Sequence, residues 1–227
     1  MTRFSPAPFQ TFLGKCSLPI FMTRENKYPI GIALSVFAVI LYLHSNHVHL
    51  FEPKLLPMYW VDTAIPFLPY SVWIYISEYI FFGAVYVTCK DLVNLNKYFY
   101  SFLVLQTVSV MIFWIWPTTY PRHLFPLSDN LDPITYYVFD ALRKTDTPAN
   151  CCPSLHVSSV YLSVFIFLDD QKKKFPFFFI WGSAIAVSTL TTKQHYLIDV
   201  VSGLGMALIT YWIFHKYISY RILDAKR

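Results

Sequence analysis

Two histidines in this chain stand where an apolar run meets a polar loop. His156 closes Cys152-Pro-Ser-Leu-His156, and His195 lies in Ser188-Thr-Leu-Thr-Thr-Lys-Gln-His-Tyr-Leu-Ile-Asp199. Asp199 follows His195 by four residues, and on a helix that spacing puts a carboxylate and an imidazole on one face, where the acid can hold the ring in one tautomer. A neutral His195 held in this way offers its other ring nitrogen as a nucleophile or a base. The same spacing also suits a structural ion pair or, with His156, a set of metal ligands. Asp199 sits inside an apolar run, where a charge is costly enough to mark a functional candidate.

Around His156, Pro153 suits the first turn of a helix, whose unpaired backbone N–H groups and positive dipole end make a site for an anion. Ser154 adds a hydroxyl, and His156 is near enough to give a proton to an oxygen leaving the bound group. Taken alone, the pentapeptide reads as an ordinary helix cap carrying a histidine. The cations available to an anionic substrate are Arg122, which can fork onto two phosphate oxygens, and Lys193, a point charge two residues before His195. Two histidines, two cations and a hydroxyl suit phosphoryl transfer, with one histidine attacking phosphorus and the other protonating the leaving alkoxide. No ring of carboxylates for magnesium is evident, so neither a metal nor another cofactor is expected.

The elements that must hold these residues are membrane helices. Of 227 residues, 56% are hydrophobic and 14% charged, far from the roughly one-quarter charge of soluble chains. The apolar blocks recur to the C-terminus and approach the ~20 residues a helix needs to cross a bilayer. The chain is therefore expected to be all-α: a polytopic bundle of six transmembrane helices over residues 28–218. The spans are expected near 28–43, 70–89, 98–116, 153–168, 175–192 and 196–217. Residues 1–27 and 219–227 would be cytoplasmic, and residues 117–152 would form an extracytoplasmic cap loop. The first apolar run follows a long polar lead without a small-residue cleavage site, which reads as an anchor.

Lysines and arginines gather in the two tails, at Lys90 and Lys97, and at Lys172, Lys173 and Lys174. The positive-inside rule makes that face cytoplasmic and brings His156, His195 and Arg122 together on the other. The basic residues are not interleaved with aromatics as a patch for nucleic acid would be, and no nucleic-acid partner is expected. Four scattered cysteines show no C-x-x-C spacing and read as free thiols. His44, His47 and His49 read as interfacial polar residues. His123, beside Arg122, is a further candidate substrate contact. Glu78, in mid-span, reads as a structural pair because a regular span would keep it far from the outer motifs.

The residues resemble the type 2 phosphatidic acid phosphatase superfamily, whose motifs are K-x6-R-P, P-S-G-H and S-R-x5-H-x3-D. The third is matched by Ser188-Thr189-x5-His195-x3-Asp199, the second by Pro153-Ser154-Leu155-His156, and the first only by Tyr120-Pro121-Arg122. The resemblance implies that His195 is a nucleophile forming a phosphohistidine, that Asp199 orients it and that His156 is the general acid. It further implies that Ser154, Arg122 and backbone amides hold the phosphate, with Leu155 in the place of the motif's glycine. Ile115 stands where the first-motif lysine belongs and Thr189 where the third-motif arginine belongs. On a continued helix Lys193 would share the face of Thr189 and restore a charge. Thr-Lys-Gln-His-Tyr, Pro-Ser-Leu-His and the upstream Asp62-Thr-Ala-Ile-Pro-Phe are similar to the branch that includes inositol phosphorylceramide synthases. Members of that branch pass a headgroup phosphate to a lipid hydroxyl. The expected partners are thus a membrane lipid phosphate and a possible alcohol acceptor lipid. The expected setting is a bacterial inner membrane or a eukaryotic endomembrane, with the site facing the periplasm or lumen.

Overall fold

A computed structural model describes residues 16–222. Arg3 and Lys15 of the leading segment and Lys226 and Arg227 of the tail, all expected to be cytoplasmic, lie outside the described residues. The helices are α1 (Lys27–His47), α2 (Trp60–Ala64), α3 (Val72–Ile76), α4 (Glu78–Thr88), α5 (Leu92–Ile115), α6 (Pro133–Thr145), α7 (Leu155–Phe165), α8 (Phe175–Thr191) and α9 (Leu197–Lys216). Two small parallel strand pairs qualify the all-α expectation. β1 (Ser17–Ile20) pairs with β4 (Ser219–Ile222), and β2 (Lys54–Leu55) pairs with β3 (Thr118–Thr119).

Five helical segments among the described residues are long and apolar enough to cross a membrane: α1, Pro69–Thr88, α5, Lys172–Thr191 and α9. The remaining expected span, 153–168, is shorter. α7 has 11 residues and a 3-residue 3-10 turn continues it to Leu168, a rise of about 22 Å against a hydrocarbon core of roughly 30 Å. Its burial explains the difference. From Leu155 to Phe167 every residue except His156 and Tyr161 is buried, so α7 is sized to its protein neighbours α5, α8 and α9 and not to lipid.

Small and hydroxyl-bearing side chains let those neighbours close in, as is common where helices meet in lipid. Tyr98 of α5 hydrogen-bonds Ser163 of α7 at 2.8 Å, and Gln106 donates to Ser159 at 3.1 Å. Gly203 allows α9 its approach, since a Cβ there would fall 2.6 Å from the Ser154 carbonyl oxygen. α1 packs differently. Of its 21 residues only Gly31, Ser45 and Asn46 are buried, and a cleft separates much of its length from the bundle.

The stretch expected to be a cap loop carries its own helix, α6. Asp132 caps it by accepting from Thr135 N at 2.9 Å, and Pro133 fills its first turn. The dipeptide Asp-Pro is a helix-start signal. α6 presses Phe139 into a ring cluster with Phe67, and the Arg143 guanidinium lies 4.7 Å from the Phe139 centroid. Asn150 ties the end of this segment to α1 by donating to Ser45 Oγ and Asn46 Oδ1 at 2.7 and 2.8 Å.

Candidate active site

The turn between α8 and α9 sets His195. α8 ends at Thr191, Lys193 takes a left-handed φ of 56°, and the backbone N–H groups of Gln194 and His195 fold back onto the Thr189 carbonyl. Tyr196 and Asp199 then start α9 with a reciprocal cap: Tyr196 N donates to Asp199 Oδ2 at 2.9 Å, and Asp199 N donates to Tyr196 O at 3.1 Å. The same Oδ2 lies 3.3 Å from His195 Nδ1. Asp199 is fully buried and His195 is 5% exposed, so this pair works where water screens little. With Nδ1 turned to the acid, Nε2 is the nitrogen left for chemistry.

The second motif docks against the first by backbone. Ser154 N donates to the Asp199 carbonyl at 3.0 Å, the close approach that Gly203 permits. Pro153, expected in the first helical turn, stands before it, joined to Cys152 by a cis bond. Ser154 is the N-cap of α7, its hydroxyl accepting from Val157 N at 3.3 Å. His156 follows in the first turn, and its ring centroid lies 5.7 Å from that of His195. Leu155 lies beside it on the wall of the cleft.

His156 takes its partners from far away in sequence. Its Nε2 is 2.7 Å from the Tyr75 hydroxyl and 3.4 Å from Glu78 Oε1. The expectation that Glu78 lies far from the motifs is corrected. The span is not regular, because α3 stops at Ile76 and α4 begins at Glu78, with Ser77 N and Oγ both turned back to the Ile74 carbonyl. The site is also recessed. Glu78 is the tenth residue of the segment Pro69–Thr88, so it sits about 14 Å along it from its start. The signal was present in the sequence as an acid inside an apolar run, which is expensive in lipid unless partnered.

Arg122 stands in a 3-10 turn, and its guanidinium clasps Asp146 at the end of α6. Nη1 donates to the Asp146 carbonyl and Nη2 to Oδ2 at 3.3 Å, while Tyr42 of α1 donates to Oδ1. Burial opposes the charge on Asp146, but Arg122 and the nearby histidines outweigh it and hold the carboxyl below its ordinary range. Arg122 Nε is buried with no partner. Asp146 lines the same cleft as His156 and Glu78, so the clasp stands at the edge of the site. Neither Asp146, Tyr75 nor Tyr42 was singled out by sequence, because each is recruited by contact and not by spacing.

Lys193 does not join this group, and the expectation of a continued helix is corrected. The left-handed turn sends its side chain the other way, where Nζ donates to the carbonyls of Asp62 and Ile65 at 2.7 and 2.6 Å and lies 5.0 Å from the Phe125 ring centroid. Burial pulls its ammonium below its ordinary value, partly offset by Asp62. Asp62 also accepts from Leu197 N at 2.7 Å. Together the two residues brace the turn that carries His195. Thr189 is buried in α8 and bonds its own helix at Ala186 O, and Ile115 is 57% exposed at the end of α5. Neither substitutes for the cation its motif position would carry.

The sequence model of the PAP2 superfamily matches residues 31–213, which takes in most of α1, the clasp at Arg122 and both histidine motifs. Neither a curated protein nor a solved structure matches the chain. With the match covering most of the length and the two histidines facing one another inside an apolar helix bundle, this chain belongs to the PAP2 superfamily.

Proposed function

We propose that this protein removes or transfers a phosphate group of a membrane lipid through a covalent phosphohistidine on His195. The observation that carries the reading is the pairing of His195 and Asp199 in a buried site, with the ring of His156 facing them from the start of α7. His195 Nε2 attacks phosphorus while Asp199, on Nδ1, stabilises the imidazolium that forms. His156 gives its proton to the leaving oxygen. Arg122 clasps Asp146, which lines the same cleft as His156, and in the substrate complex its unpartnered Nε is the donor it can add without releasing Asp146. Water or an alcohol then attacks phosphorus from the open side and frees His195.

Orientation follows from charge. Lys90, Lys97, Lys172 to Lys174, Lys216 and the paired strands β1 and β4 lie at the bundle end opposite the motifs, which favours a cytoplasmic basic end and a periplasmic or lumenal site. The pairing of β1 with β4 brings both ends of the described chain to one side and supports counting short α7 as a sixth crossing. Headgroup transfer to a lipid alcohol, as in the inositol phosphorylceramide synthases that the motifs resemble, is favoured over hydrolysis by the long apolar cleft that reaches His156.

The test is to trap the intermediate. Labelled lipid phosphate quenched on the purified protein is expected to leave an acid-labile, base-stable phosphoprotein that His195→Gln abolishes. Label on Ser154, or label that survives His195→Gln, overturns the assignment.

A further inference from the structure

The site around His156 and His195 is short of positive charge for a phosphate. Glu78, Asp146 and Asp199 bring three carboxyls to it, and its arginine, Arg122, is matched to Asp146. A buried anion needs more than a cation that another acid already holds.

Arg143 of α6 is a cation whose donors are unmet. Its Nε and Nη2 are buried without a partner, although an acid stands three residues away on either side, where helical neighbours meet. Both acids are taken: Asp140 pairs with Lys144 at 2.6 Å and Asp146 with Arg122 at 3.3 Å. The guanidinium lies 4.7 Å from the Phe139 ring centroid and 5.5 Å from that of Phe67. Rings attract its charge but offer its N–H groups no lone pair. A buried donor in this state is costly and calls for an acceptor.

Position ties Arg143 to the site from two sides. Asp146, which lines the cleft with His156, keeps its helical place because its N–H bonds the Leu142 carbonyl. Phe67 precedes Leu68, whose N–H bonds the Thr191 carbonyl at 2.9 Å, where α8 ends and the turn to His195 begins. Burial pulls the Arg143 guanidinium down to about 10, with the charge of Arg122 adding to the shift and Asp140 opposing it. Two arginines that repel each other thus hold three unmet nitrogens: Nε of Arg122, and Nε and Nη2 of Arg143.

We propose that Arg143 is a second phosphate-binding residue of this site, acting with Arg122 on the oxygens of the phosphate group. The proposal rests on the reading of the site as one that takes a phosphate, and it needs no covalent step. The chemistry recognised is that of the phosphate anion, whether carried by a lipid or free.

Equilibrium binding to the purified full chain tests it without turnover. Inorganic phosphate and octylphosphonate, an alkyl-borne analogue whose P–C bond blocks transfer, are titrated against the unaltered protein and against Arg143→Gln. The variant is expected to bind about tenfold more weakly, and Arg143→Lys to fall between, since it keeps the charge without the fork. Weakening toward both ligands marks the phosphate group itself, weakening toward octylphosphonate alone marks a lipid source, and weakening toward inorganic phosphate alone marks a free one. A second measurement uses only the unaltered protein and so holds where a variant folds poorly. Phosphate is expected to slow modification of Arg143 by phenylglyoxal severalfold, relative to chloride at matched ionic strength. No binding of either ligand by the unaltered protein, an affinity for both unmoved by Arg143→Gln, or modification that phosphate does not slow overturns the proposal. A lowered Tm as the sole effect of Arg143→Gln leaves the side chain as packing on Phe67 and Phe139. If Arg143 binds phosphate and no phosphoenzyme forms from any substrate, the His195 mechanism fails and the anion site stands. If phosphoenzyme forms and Arg143→Gln leaves affinity intact, the anion site fails alone.

Discussion

His195 takes its acid from one helical turn away, whereas His156 takes Tyr75 and Glu78 from a broken helix some eighty positions earlier in the chain. The two rings face each other 5.7 Å apart between centroids, yet they are held by opposite means. The local pair is fixed as soon as the first turn of α9 forms, because the carboxylate that orients His195 also caps that helix. The remote set exists only after α3, α4 and α7 have packed. A buried histidine in a helix bundle can thus be partnered by spacing or by docking, and only the first leaves a pattern in sequence.

The largest effect that could break this comparison is His195→Gln, which is expected to remove both turnover and the trapped phosphoenzyme. His156→Ala is expected to leave phosphoenzyme formation possible but to slow release of an alkoxide by roughly 10²–10⁴-fold, the usual worth of general acid catalysis. Nitrophenyl phosphate, whose leaving group needs no proton, should be far less affected. If the two variants lose activity equally on both substrates, the division of roles between the histidines is wrong.

Two smaller tests sharpen how each side is held. Lys193→Ala removes two bonds from a buried ammonium to the carbonyls of Asp62 and Ile65; bonds to charged groups contribute about 1.5–3 kcal/mol each. The expected result is a lower Tm and a lower kcat with KM nearly unchanged, because the turn under His195 loosens while phosphate contacts stay. A rise in KM with kcat intact would instead return Lys193 to phosphate binding. Gly203→Ala brings a methyl group within 2.6 Å of the Ser154 carbonyl. Overpacking of this kind costs about 1–3 kcal/mol, and since it parts α7 from α9 it should lower Tm and slow both half-reactions together.

The smallest expected effect is in acid. Asp146 is held below its ordinary value of 3.8, chiefly by Arg122 acting against burial. A depressed carboxyl contributes stability that is complete above the unfolded value and is lost as pH falls through the folded one. Thermal stability of the protein should therefore decline below about pH 4, and Asp146→Asn should flatten that part of the profile at the cost of lower stability at neutral pH. An unchanged acid limb would show that the clasp between Arg122 and Asp146 carries no net weight.

Much of the fold and half of the site were legible in the sequence. Apolar blocks of bilayer length gave the helices, because hydrocarbon admits no other way to satisfy the backbone. His195 and Asp199 were legible because their partnership is periodic. The helix α6 was legible in principle from Asp132 and Pro133, but a long mixed-charge stretch masked it.

What only tertiary structure decided concerns direction and depth. Lys193 and Thr189 are four apart, and a continued helix would align them, but the chain leaves the helix after Thr191 and turns left-handed, so the cation braces the turn from outside the site. Glu78 reads as a structural pair on a regular span far from the motifs, and a single break at Ser77 delivers it to His156. Sequence by itself determined the pairing that depends on helical period, that of His195 with Asp199. Which charges meet them across the bundle depended on where helices end and how closely they pack, and those contacts join residues that share no spacing.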